Sequence, residues 1–121
     1  MIYIDTYITK YNTIIIDPTV NINADAIGAY TVRFSFQEKW DNDLTLYAVF
    51  KPKLDTPIYL QLDENNCCII PYQIYRRFAK LGIGLMGKKV GEGGIILKQN
   101  ITDLTYIPIR KSAGNFIEDL L

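Results

Sequence analysis

Histidine is missing altogether from this chain of 121 residues. Its absence removes the commonest general base, the commonest transition-metal ligand and the usual partner of a serine or cysteine nucleophile. Cysteine is scarce: Cys67 and Cys68 are the two thiols, and they are adjacent. On a strand their side chains point to opposite faces, so a disulfide between them is strained and two reduced cysteines are expected. One is expected to pack in the core and the other to face solvent or a partner. Net charge is also lacking. The 13 basic and 13 acidic residues are mixed along the chain, which leaves no electrostatic footprint for nucleic acid or an anionic membrane. No apolar run approaches the ~20 residues of a membrane helix, and MIYIDTYITKYN at the N-terminus has neither the basic region nor the unbroken apolar stretch of a signal peptide. The chain is expected to be made and kept inside a cell until something else releases it.

What is present reads as β-structure. The length fits one domain that buries roughly two-thirds of its unfolded surface without a disulfide or a metal. YTVRFSFQ, residues 30 to 37, places Val32, Phe34 and Phe36 on one face and Thr31, Arg33, Ser35 and Gln37 on the other, the period of a half-buried strand. LTLYAVF repeats the alternation with Leu44, Leu46, Ala48 and Phe50, after turn chemistry from Asp41, Asn42 and Asp43. PIYLQL turns Ile58, Leu60 and Leu62 inward, DENN makes a turn, and CCIIP is a short strand ended by Pro71. The expected fold is an all-β, antiparallel β-sandwich of immunoglobulin-like or jelly-roll-like type, with Phe34, Phe36, Leu46, Phe50, Leu60, Ile69, Leu85 and Leu97 sharing one core. PYQIYRRFAKLG is the helix candidate near residues 71–80, with Pro71 at its start, Ile74 and Phe78 four apart and Gly82 as its cap; an extended or 3₁₀ connection is the alternative for so short a piece. Pro108 in the last strand is best placed on a sheet edge.

The run LGIGLMGKK, residues 81 to 89, holds G-x-G-x-x-G through Gly82, Gly84 and Gly87 and falls one residue short of a P-loop, because Lys89 stands where Ser or Thr would hold Mg²⁺. A phosphate-binding glycine run follows a parallel strand and opens a helix, whose unpaired N–H groups meet the phosphate. Here the order is reversed: the possible helix comes first, and a strand and hairpin follow. The glycines are therefore read as structural, Gly84 and Gly87 where a neighbour approaches closely, and Gly91, Gly93 and Gly94 as positive-φ turn positions. No cofactor is expected.

Other constellations are weaker still. Asp41, Asp43, Asp63 and Glu64 lack the register of a calcium loop, and acids in turns commonly just solvate them. Lys51, Lys53, Arg76, Arg77, Lys88 and Lys89 are offset by acids elsewhere, so neither nucleic acid nor membrane is an expected partner. Tyrosine stands out instead, with nine copies. Tyr3, Tyr7, Tyr11, Tyr47, Tyr59, Tyr72, Tyr75 and Tyr106 include several on presumed outer faces, where amphipathic rings mark contact surfaces or pack across strands within a sheet. The termini are apolar as well. Residues 1–13 are read as an N-terminal arm or edge strand, 14–115 as the sandwich, and 116–121 as a tail carrying Phe116, Ile117, Leu120 and Leu121. Partner contacts are expected at Tyr3, Tyr7, Tyr11, Tyr47 and Tyr59 and at those four tail residues, with at least one end ordered by a neighbouring subunit.

The succession VRFSFQEKWDNDLTLYAVFK, YLQLDENNCCIIPYQI and LGIGLMGKKVGEGGIILKQNITDLTYIPIRKSAGN carries a family resemblance. It is similar to small β-sandwich modules in virion proteins of phages infecting Firmicutes, typified by the N-terminal domain of baseplate upper and related fibre-anchoring proteins. The matching features are the aromatic strand with Trp40 after it, the acidic turn leading to Cys68-Ile69-Ile70-Pro71, the Gly-x-Gly strand, and Ser112 to Gly114 at the close. The resemblance implies a non-enzymatic virion protein, assembled in the host cytoplasm, that binds copies of itself and other virion proteins on a capsid, neck, tail or baseplate. Fibre-anchoring domains continue into a coiled coil or second domain, whereas FIEDLL ends this sequence, so a decoration or adaptor role is expected. A soluble carbohydrate-binding sandwich is the alternative.

Overall fold

The computed structural model describes residues 1–53, 55–75 and 79–110. In chain order the strands are β1 (Ile2–Ile8), β2 (Ile14–Ile16), β3 (Ile22–Asn23), β4 (Tyr30–Phe36), β5 (Thr45–Pro52), β6 (Ile58–Gln61), β7 (Cys67–Ile69), β8 (Lys80–Val90), β9 (Ile96–Ile101) and β10 (Thr105–Arg110). A helical turn, α1 (Tyr72–Tyr75), precedes β8, and a 3₁₀ turn at Glu92–Gly94 joins β8 to β9. One sheet has the order β2-β1-β4-β7; the other runs β3-β10-β8-β5-β6, with β9 beside the far half of β8. Their inner faces share one core, and the fold is an all-β sandwich.

Alternation builds that core. Ile4 and Ile8 of β1 meet Val32 and Phe34 of β4, Ala48 and Phe50 of β5, and Leu81, Ile83 and Leu85 of β8, all buried. Pro71 starts α1, where its carbonyl accepts from Ile74 N at 3.0 Å, and Ile74 and Tyr75 close the core beneath it. The Tyr75 hydroxyl donates to the Ala26 carbonyl, and its ring meets Tyr30 edge-on at 5.8 Å. Tyr75 is therefore an interior residue, and Tyr72 packs beside it.

Several expectations are corrected. The sheets are mixed: β1 pairs in parallel with β4, and β3 with β10. The cause is the connection over residues 9–29, which leaves β2, visits the other sheet as β3 and returns alongside β1; a crossover of that length permits parallel pairing. Residues 1–13 are not an arm or an edge strand, because β1 lies between β2 and β4 with Ile4, Thr6 and Ile8 buried. Ile69 and Leu97 do not join the core; they are 55% and 58% exposed. Gly82 does not cap the helix but lies within β8, and β10 is an interior strand. Pro108 is tolerated there because β3 pairs only with Ile109 and Arg110, so no neighbour asks for its missing N–H.

The glycine run lies in the middle of β8, an extended strand flanked by β5 on one side and by β10 and β9 on the other. A Cβ on Gly84 would lie 3.0 Å from the Asp103 carbonyl oxygen and from the Leu104 side chain, and one on Gly87 would lie 3.1 Å from Leu46 and Trp40. Both glycines admit a close neighbour. Gly93 and Gly94 take positive φ at the hairpin turn, at 68° and 77°, whereas Gly91 stays extended at −95°.

Candidate interaction surfaces

Parallel pairing of β1 with β4 sets the outer face of the four-stranded sheet. Tyr3 stands beside Thr31, Asp5 beside Arg33, and Tyr7 beside Ser35. Outside these, β2 places Ile15 next to Tyr7, and β7 places Cys67 next to Arg33 and Ile69 next to Thr31. Tyr3, Tyr7, Ile15 and Ile69 are all exposed. At the centre Arg33 Nε donates to Asp5 Oδ1 at 2.6 Å while the guanidinium sits 4.5 Å above the Tyr3 ring. The hydrogen bond from Arg33 holds the Asp5 carboxyl below its ordinary range, and the same contact raises Arg33. The result is an aromatic and aliphatic surface around one locked ion pair. An open cleft of about 760 Å³ runs along its β7 side, bounded by Met1, Tyr3, Arg33, Asp63 and Ile69.

The outer face of the larger sheet carries Tyr47, Tyr59 and Tyr106. Tyr47 is opposite Met86, Val49 is opposite Gly84 and Tyr59, and the Tyr106 ring crosses Gly82. Residues 102–104 fold over Gly84, held by the Leu85 N–H donating to Thr102 Oγ1 at 2.9 Å and by Thr102 Oγ1 donating to the Asp103 carbonyl at 2.7 Å. Val49, although on this outer face, is thereby buried, and an apolar hollow opens between it, Tyr59, Ile101 and Leu104. Lys88 Nζ lies 5.3 Å above the Tyr47 ring.

The expected contact residues therefore separate. Tyr3 and Tyr7 share one face, Tyr47 and Tyr59 share the other, and Tyr11 stands apart in the β1–β2 turn, 78% exposed. Phe116, Ile117, Leu120 and Leu121 lie outside the described residues. Ile15 and Ile69 were missed as surface residues because an isoleucine in a short strand reads as core on either face.

The candidate carboxylates Asp41, Asp43 and Asp63 have structural partners. Asp43 binds Lys98 at 2.9 Å and Lys89 at 3.3 Å, and Asp41 binds Lys98 at 3.3 Å, so these carboxylates face ammonium groups. Asp63 accepts from the N–H groups of Asn65 and Cys67, closing the turn before β7. Among the described residues no three His, Cys, Asp or Glu side chains gather as a metal ion would need. Both cysteines are free thiols. Burial pushes Cys68 up to about 11 and raises Cys67, which keeps both protonated near neutrality and poorly nucleophilic.

No protein-family profile matches the chain, and no curated protein matches it in sequence. Among solved structures it is similar to the N-terminal domain of phage TP901-1 ORF48, with a TM-score of 0.58, 13% identity, and coverage of 90% of this chain and 97% of that one. The likeness is one of fold. It spans nearly the whole of the phage domain, so the two-sheet sandwich is shared as a unit.

Proposed function

We propose that this chain is a non-enzymatic structural protein of a phage particle, acting as an adaptor or decoration protein that docks on the capsid, neck, tail or baseplate. The observation that carries the proposal is the fold likeness to a phage protein domain over 97% of that domain's length. The resemblance of its strand and turn features to the N-terminal domains of baseplate upper and fibre-anchoring proteins points the same way. The arrangement of the surface supports it too. A protein held between neighbours needs more than one contact face, and the exposed tyrosines are divided between the two outer faces of the sandwich. A sugar-binding sandwich instead gathers its aromatics over one groove.

The docking face we assign is the outer face of the four-stranded sheet. Tyr3, Tyr7, Ile15 and Ile69 offer apolar area, and the Arg33–Asp5 pair at their centre is already satisfied, so covering it strands no unpaired charge. Quantitative mass spectrometry of gradient-purified particles tests the proposal. The chain is expected at a fixed ratio to the other particle proteins, and that ratio is expected to fall when Tyr3→Ser and Tyr7→Ser are combined. A chain missing from purified particles overturns the reading.

A further inference from the structure

Among the described residues, strand β6 is the edge with the least protection, guarded by Pro57 at its start and by nothing within it. Sheet edges in native proteins are blunted by short length, charge, proline, a bulge or a covering element. The edges β2, β3 and β7 are three, two and three residues long. Strand β9 carries Lys98 and a register shift opposite Lys89 and Val90. Strand β6 pairs regularly with β5 from Ile58 to Gln61, and the ladder continues where Leu62 N donates to the Leu46 carbonyl at 3.0 Å. From Ile58 to Leu62 the sequence IYLQL has neither a charged residue nor a proline, Pro57 standing just before it.

The backbone geometry of this edge follows from one bond. Leu62 directs its N–H toward β5, so by alternation Ile58 and Leu60 do the same, and the N–H and C=O groups of Tyr59 and Gln61 point outward. Side chains alternate independently. Ile58, Leu60 and Leu62 lie on the core-facing side, yet Ile58 is 39% exposed and Leu60 only half-buried, because the sandwich is open along this margin.

We infer that β6 pairs antiparallel with β6 of a second copy of this chain across a two-fold axis through Leu60, joining the two larger sheets into one. A two-fold axis normal to a sheet places each residue opposite one on the same face, and this register is self-complementary. Leu60 meets Leu60 of the second copy, and Ile58 meets its Leu62, so the half-covered apolar row becomes continuous across the junction. On the outer face Tyr59 meets Gln61 of the second copy, and these two exchange both of their outward backbone hydrogen bonds. No like charges face each other anywhere along the paired stretch. A strand of another protein can satisfy the same backbone groups but has no reason to repeat the pattern Ile58–Leu60–Leu62 in reverse; a second copy carries it by necessity. The inference is independent of the virion reading, since pairing is a property of the chain alone.

The test uses the full chain in solution. Sedimentation across a concentration series is expected to show a monomer–dimer equilibrium. Amide exchange at Tyr59 and Gln61 is expected to slow as the dimer forms, while the Leu60 amide, bonded to β5, is protected throughout. Gln61→Pro removes an outward donor without touching the bonds to β5 and is expected to give a folded monomer. Ile58→Lys, which leaves the backbone intact and sets an ammonium against Leu62 of the second copy, is expected to weaken association many-fold and serves if the proline variant does not fold. A wild-type chain that stays monomeric at every concentration overturns the inference. So does a dimer that survives in both variants, or protection of Tyr59 and Gln61 that disappears on removing residues 116–121, which would assign the edge to the chain's own tail.

Discussion

Arg33 and Asp5 face each other across the parallel pairing of β4 with β1, Nε to Oδ1 at 2.6 Å, with the guanidinium also capping Tyr3. The contact exists only because β1 runs beside β4 in that register, so it reports on a pairing that the sequence does not announce. Asp5 is held below the ordinary carboxylate range in the folded chain, chiefly by the hydrogen bond from Arg33. A carboxyl with a depressed folded value adds stability above its unfolded pKa and loses it as pH falls through the folded one. Asp5→Asn is expected to unfold at slightly lower urea than wild type at neutral pH and to match it in strong acid. The pair is exposed, so the difference is small. A chemical shift titration of the Asp5 carboxyl that gives an ordinary midpoint contradicts the pairing.

Core truncations separate the two sides of the sandwich. Phe50→Ala, at a fully buried position between the sheets, is expected to cost about 3–5 kcal/mol in urea denaturation. Leu97→Ala, on exposed β9, is expected to cost no more than about 0.5 kcal/mol. Equal costs would show that β9 is covered in the free chain.

Gly84→Ala places a methyl group 3.0 Å from the Asp103 carbonyl oxygen and is expected to destabilise by about 1–3 kcal/mol as residues 102–104 are displaced. Lys88→Ala, in the same strand, is expected to be nearly neutral, and calorimetry with ATP is expected to show no heat for either chain. Micromolar ATP binding would contradict the structural reading of the glycine run.

The two thiols are expected to react unequally. With Cys68 pushed up to about 11 and packed against the core, about one part in a thousand is thiolate at pH 8, so a disulfide reagent is expected to modify Cys67 first. Rapid, equal labelling of both would contradict the placement of β7.

The sandwich was legible where one face is apolar and the other is not. Val32, Phe34 and Phe36 against Arg33 and Ser35 make β4 unambiguous, and Ala48 and Phe50 do the same for β5. Strand β1 was not legible, although it alternates strictly. Its outward Tyr3 and Tyr7 count as apolar beside the inward Ile4 and Ile8, and its inward Thr6 counts as polar, its hydroxyl being satisfied by the Arg33 carbonyl at 3.2 Å. In CCII all four residues suit a core, so the pattern alone does not say whether Cys68 and Ile70 or Cys67 and Ile69 face inward. Strand direction leaves no trace in alternation, which is why the parallel pairs were missed. At the candidate surfaces the tyrosines signalled exposure, but their division between two faces is a consequence of register.

Immunogold electron microscopy on intact, gradient-purified phage particles, with antibody raised against the folded chain, tests the central claim most directly. The account predicts label at one recurrent position on the particle, reduced when Tyr3→Ser and Tyr7→Ser are combined. Particles without label, from lysates in which the chain remains abundant and free, would contradict it.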